Sequence, residues 1–177
     1  MALDLPDGYA VEPARPEHVA ALPAIERAAA RLFPPDVLPP ALRDDAVPVE
    51  EHAAAQAAGR LWVALSPEGR PVGFALVHAA GDAAFLAELD VHPEHGRRGL
   101  GRALVGAVVA GARAAGLARV TLTTFAHVAW NAPFYERLGF RRLTADELSP
   151  GLARALRHEA ASGLRNRVAM ERRLDLP

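Results

Sequence analysis

The chain has 177 residues, 51% of them hydrophobic, and a formal net charge of −1; this suits one globular domain and gives no basic field to hold nucleic acid. It contains no cysteine and no lysine, which excludes disulfides, thiolate metal ligands, a cysteine nucleophile, a lysine Schiff base and a P-loop lysine. No stretch is apolar enough to span a bilayer, and Met1 to Asp7 has acids and proline where a signal peptide needs positive charge and an apolar run, so a cytoplasmic protein is expected.

Taken in chain order, Tyr9 to Pro13 reads as a short strand. Pro16 opens a helix with Val19, Leu22, Ile25 and Leu32 on one face. Residues 33–48 hold five prolines together with Asp36, Asp44 and Asp45, and read as a solvated loop with at most a short helix. Residues 49–58 are alanine-rich and helical, ending at Gly59. The period then changes. Leu61 to Leu65 is a strand, 66–70 a tight turn, and 72–77 the returning strand of a hairpin. Gly81-Asp82 marks another turn before a third strand, 84–92. A Gly-rich loop over 96–101 leads into an amphipathic helix that stops at Gly116. Then come a strand at 119–124, a short helix at 131–138 and a strand at 140–143. A helix at 145–161 follows, interrupted at Pro150-Gly151, and a terminal strand covers 167–174. This order predicts a mixed α/β sheet, mostly antiparallel, with helices on both faces and a parallel crossover at 84–124. No linker is visible, so residues 1–177 read as one domain.

The strongest chemical signal is the run from Val91 to Leu104, VHPEHGRRGLGRAL. A strand ends, a turn rich in Gly and Arg follows, and a helix begins. Such a helix start presents unpaired N–H groups and a positive dipole end. Gly99 and Gly101 permit close backbone approach, and Arg97, Arg98 and Arg102 add charge, which together suit a pyrophosphate. The string is not a dinucleotide fingerprint, since no acid follows about 20 residues on. It is not a Walker motif, since it has no lysine.

Gly96-Arg97-Arg98-Gly99-Leu100-Gly101 resembles the acetyl-CoA pyrophosphate loop of the GNAT superfamily, Q/R-x-x-G-x-G/A, matching at both glycines and departing at Gly96. The preceding Glu88 to Glu94 looks like that family's fourth strand and its exit. Trp130 to Phe140 resembles the family's final motif, with Phe134-Tyr135 on a short helix followed by Gly139-Phe140. Where the family commonly carries Asn seven residues before the Tyr, this chain has Val128; the nearest Asn is Asn131. The resemblance covers residues 60–143 and implies the acyl-CoA N-acyltransferase fold, acetyl-CoA as cosubstrate, no metal and, by family habit, a homodimer.

The implied reaction is acetyl transfer to a primary amine, a small molecule or a protein, by direct attack. The resemblance makes Tyr135 the general acid for the leaving thiolate. Backbone near Leu89 and Val91 would serve the oxyanion and pair with the pantetheine arm. Gly96, Arg97, Arg98, Gly99, Leu100, Gly101 and Arg102 would hold the pyrophosphate, and Asn131 would make a related cofactor contact. The general base falls first on Glu88, with His127 and Asp90 behind it; Glu88, Asp90 and His92 alternate along one face. Residues 33–58 and 145–161 are expected to shape the acceptor side. His92 and His95 lack a third ligand and read as loop residues. Trp62 and Trp130 read as core or cleft-wall aromatics, and Arg141-Arg142 and Arg172-Arg173 as strand-edge charges. Composition rich in Arg, Ala, Gly and Pro fits a high-GC bacterium. The alternatives are an inactive acyl-CoA-binding or regulatory domain of the same fold, and an unrelated nucleotide-binding module.

Overall fold

The structure is a computed structural model that describes residues 5–175; Met1 to Asp4 of the signal-peptide reading lie outside them. The chain divides into two compact units, one holding residues up to His78 with Leu86–Gly111, the other Ala79–Phe85 and the chain from Ala112. Strand order in the seven-stranded sheet, numbered along the chain, is β1-β2-β3-β4-β5-β7-β6.

In the first unit, β1 (Ala10–Pro13) pairs antiparallel with β2 (Leu61–Leu65), which pairs antiparallel with β3 (Pro71–Ala80). The hairpin closes through Ser66 N–H to Arg70 O at 2.9 Å. A 3-10 turn (Pro16–Ala21) leads into α1 (Leu22–Ala30), whose Leu22, Ile25 and Ala29 recur at helical spacing and are buried. Leu22 and Ile25 share a core with Val63, Phe74 and Leu76, joined by Ala55 of α2 (Val49–Ala57). Leu32 does not belong to this stripe. The helix ends before Pro34-Pro35, which cannot continue it, and Leu32 is left 53% exposed. Only one 3-10 turn, Pro40–Leu42, breaks the loop over 33–48.

From β4 (Ala83–Val91) the chain passes through a 3-10 turn (Pro93–His95) into α3 (Leu100–Ala114). Leu100, Leu104, Val105 and Val108 of α3 are buried, as the amphipathic spacing requires. Gly111 has a structural reason: a Cβ there would lie 2.5 Å from the Trp62 ring. Trp62 is half-buried under that helix, whereas Trp130 is 50% exposed and is no core residue.

In the second unit, β5 (Arg119–Phe125) runs parallel to β4, with Ala83–Phe85 opposite Arg119–Thr121, the expected crossover through α3. β7 (Arg167–Arg173) pairs antiparallel along all of β5, from Arg119↔Arg173 to Phe125↔Arg167. β6 (Arg141–Arg142) adds on the far side of β7, so the last strand inserts between two earlier ones. α4 (Ala132–Arg137) precedes β6. α5 (Pro150–Ala161) starts at Pro150, where Ser149 Oγ accepts the Leu152 N–H at 3.2 Å. The 145–161 segment is thus two pieces, a 3-10 turn (Ala145–Glu147) and α5, and the break falls at residues 148–149, with Pro150 the first residue of α5, where its missing N–H costs nothing.

The arginines read as strand-edge charges have partners. Glu171 on β7 is 3% exposed and receives Arg141 at 2.6 Å, Arg173 at 3.2 Å and Arg119 at 3.5 Å. Arg142 pairs with Glu136 at 2.7 Å, and Arg172 donates to the Leu138 carbonyl at 2.9 Å. Burial opposes ionisation of Glu171, but the Arg141 and Arg173 hydrogen bonds outweigh it and hold its pKa below the usual glutamate value. Among the described residues no helix is long and apolar enough to cross a membrane.

Candidate active site

The loop between β4 and α3 has the backbone its glycines suggest. Gly96 N–H returns to Pro93 O at 3.1 Å, closing the 3-10 turn. Arg97 then adopts φ 58° and Gly99 φ 80°. A left-handed arginine is uncommon and costs roughly 1 kcal/mol. Around Gly99 nothing approaches within 4 Å of an added Cβ, so its glycine serves the φ angle and an open backbone. The first α3 ladder bond is Ala103 N–H to Gly99 O at 3.0 Å. The N–H groups of Leu100, Gly101 and Arg102 therefore precede the ladder at the positive end of a 15-residue helix. Leu100 is buried and anchors the turn, while Arg97, Arg98 and Arg102 are exposed. Arg98 is braced by the Glu94 carbonyl at 3.0 Å and lies over the Tyr9 ring, 5.9 Å from its centroid. Tyr9 also hydrogen-bonds His95 Nδ1 at 2.9 Å, tying β1 to the loop. An open turn, amides ahead of the ladder and three exposed guanidiniums fit a pyrophosphate group.

Upstream, Leu89 and Val91 lie beyond the last β4 residue paired with β5. Glu88 and Asp90 are both half-buried, but the Asp90 Oδ2 atom is enclosed and has no hydrogen-bond partner among the described residues. Burial, and next the charge of Glu26, push Asp90 up to about 8. Glu26, on α1, is itself raised by burial, against the opposing hydrogen bond from Val47 N–H at 2.9 Å. Nothing in the residue pattern pointed to Glu26, which stands on a helix beside the core residue Ile25. His52 of α2 is fully buried, its ring edge-on to Phe74 at 5.0 Å; burial pulls its pKa down and keeps it neutral.

In the second unit, Tyr135 on α4 is 8% exposed, between Phe134 and Phe140 at ring distances of 5.1 and 5.6 Å. The helix opens at Asn131, whose carbonyl accepts from Phe134 and Tyr135 N–H at 2.9 and 3.1 Å. The Asn131 side chain makes no capping bond. Val128 is buried as a core residue. His127 is exposed. His92 Nδ1 accepts from Glu94 N–H at 3.4 Å and His95 is bound to Tyr9; among the described residues no group of three or more His, Cys, Asp or Glu could hold a metal. Asp36, Asp44 and Asp45 are exposed, as a solvated loop requires.

A mixed sheet in which β4 feeds a Gly- and Arg-rich turn, a helix and a parallel strand is the architecture of the acyl-CoA N-acyltransferases. The Acetyltransferase (GNAT) family model matches residues 22–140, and the chain belongs to this family. Solved structures share the fold. One is the ribosomal-protein-S18-alanine N-acetyltransferase from Escherichia coli, 21% identical, with 96% of each chain covered and a TM-score of 0.66. Another is Rv2747 from Mycobacterium tuberculosis in complex with CoA, 23% identical, covering 94% of this chain and 99% of that one, with a TM-score of 0.65. A third is the N-acetylglutamate synthase from Neisseria gonorrhoeae complexed with coenzyme A and N-acetyl-glutamate. It is 20% identical, with a TM-score of 0.67 over 94% of this chain; the present chain spans only 35% of its length. Family membership indicates an acetyl-CoA-dependent acetyltransferase.

Proposed function

We propose that the protein transfers the acetyl group of acetyl-CoA to a primary amine by direct attack. The observation that carries this reading is the turn before α3, where three amides precede the helix ladder beside exposed Arg97, Arg98 and Arg102. These groups bind the pyrophosphate. Backbone at Leu89 and Val91 pairs with the pantetheine arm and donates to the carbonyl oxygen as charge develops on it. Asn131 contributes a cofactor contact from the start of α4. Acetyl-CoA supplies an activated thioester acyl group, so no covalent enzyme nucleophile is needed, in keeping with a chain that has no cysteine.

Tyr135 gives a proton to the departing sulfur, and a carboxylate on β4 takes one from the acceptor, Glu88 being the residue the sequence ranks first. The buried aromatic setting of Tyr135 also supports a second reading, a packing residue in an acyl-CoA-binding domain without turnover. One variant separates them. Tyr135→Phe should bind CoA within about twofold of wild type while kcat falls on the order of 100-fold or more. The measurements are calorimetry with CoA and thiol release from acetyl-CoA across a panel of amines. At saturating CoA the native state should gain about 2.7 kcal/mol for ligand at 100 times Kd. Absence of CoA binding by well-folded protein overturns the assignment.

A further inference from the structure

We propose that Tyr9 is a positioning residue for coenzyme A: acting through His95 and Arg98, it holds the turn ahead of α3 in its phosphate-binding shape while no ligand is present. This rests on the acyltransfer reading and adds a residue that lies outside the family-like stretch 60–143.

The need for a brace comes from the backbone. Arg97 stands at φ 58°, a region that residues with a side chain occupy only where their surroundings fix it. Gly96 and Gly99, before and after it, have no side chain with which to stiffen the loop. The N–H bonds of His95 to His92 O at 2.9 Å and of Gly96 to Pro93 O at 3.1 Å close the chain ahead of Arg97, not around it. A turn left unbraced would relax, and CoA would have to restore its order on binding, at a cost in affinity.

Tyr9 grips the chain on both sides of that residue. Two positions before it, His95 Nδ1 lies 2.9 Å from the Tyr9 hydroxyl, which donates to it when the imidazole carries its proton on Nε2. The two rings meet edge-on with centroids 5.8 Å apart. One position after it, the Arg98 guanidinium lies over the Tyr9 ring, 5.9 Å from the centroid and within cation–π reach. The same guanidinium donates to the carbonyls of Glu94 at 3.0 Å and Gly96 at 3.5 Å, which draws the turn closed. Tyr9 itself stands on a firm base. Its neighbour Gly8 is so close to the hairpin turn that a Cβ there would lie 2.9 Å from Pro67 Cβ, and its other neighbour Ala10 pairs with Leu65 in the β1–β2 ladder. A bond between residues 86 positions apart thus carries the stiffness of the sheet to the turn.

The test measures CoA affinity of the full chain by calorimetry. Tyr9→Phe keeps the ring under Arg98 and removes only the hydroxyl, so Kd should rise about fivefold, the worth of one hydrogen bond. Tyr9→Leu removes the ring as well and should weaken CoA about 20-fold. In a His95→Leu background, Tyr9→Phe should change Kd by less than about 1.5-fold, because the partner is already gone. A merely structural tyrosine would cost the same in both backgrounds, so equal losses, or no loss in Tyr9→Leu, overturn the proposal. Hydrogen exchange on ligand-free protein gives a second readout. The bonded amides of His95, Gly96 and Ala103 should exchange about fivefold faster in Tyr9→Phe, while the β5–β7 ladder keeps its wild-type rates. Unchanged exchange at those three amides overturns the brace. Failure of the wild type to bind CoA would strike the acyltransfer reading instead, and the exchange rates would still decide whether Tyr9 holds the turn.

Discussion

Asp90 and Glu171 are both acids carried by strands and withdrawn from water, and the protein treats them in opposite ways. Glu171 on β7 is met by Arg119, Arg141 and Arg173, and its pKa is held down. Asp90 on β4 has an enclosed oxygen with no hydrogen-bond partner among the described residues and feels the charge of another acid, and its pKa is pushed up. Burial disfavours the charged form at both; the supply of guanidinium decides the outcome. A buried acid surrounded by arginines is a girder of the second unit. One left without them, in the first unit, holds its proton to higher pH.

The contrast can be broken most forcefully at Glu171. Glu171→Ala should cost about 3 kcal/mol in urea unfolding, because it strips a shared anion from three arginines. A loss below about 1 kcal/mol would show that the cluster is not structural. Next in size is the pH dependence, which should have opposite signs at the two sites. Asp90 binds its proton more tightly folded than unfolded, so its contribution is full below the ordinary aspartate value of 3.8 and fades as pH rises through about 8. Asp90→Asn should therefore flatten that decline and gain about 1–2 kcal/mol at pH 9. Glu171, with its lowered pKa, stabilises at neutral pH and loses that contribution as pH falls through its folded value. The smallest effect belongs to Arg173→Ala. Its side chain is 77% exposed, so less than about 0.5 kcal/mol should be lost, and salt should shrink it further.

What could be read from the chain alone was local. Strand β2, the hairpin turn, the helix stops at Gly116 and Gly139 and the turn before α3 are each specified by neighbours in sequence, and all were legible. The family resemblance of 96–101 and 130–140 likewise sits in short contiguous runs. What escaped depends on distant meetings. The influence of Glu26 on Asp90 arises between residues 64 positions apart, and no periodic pattern marks an acid beside Ile25. β7 inserts between β5 and β6 because of pairing preferences that span the final third of the chain. Glu171 resembled any other strand acid until its three arginines converged on it. Trp130 reads from the sequence as a core or cleft-wall aromatic, and its place in a turn with half its surface in water rules out the core.

The arginine at φ 58° carries a kinetic consequence. A glycine would take that backbone angle without strain, so the side chain there trades some stability for a guanidinium held outward in solvent. Together with Arg98 and Arg102 it makes a local positive rim on a chain whose net charge is −1. Association with a polyanionic cosubstrate should then be steered, and its rate should drop steeply as ionic strength rises and the Debye length shrinks to about 10 Å at 0.1 M. Dissociation, governed by short-range amide contacts, should barely respond. Stopped-flow binding of CoA at 20 and 300 mM salt would therefore find Arg97→Gly slower to capture the ligand only at the lower concentration.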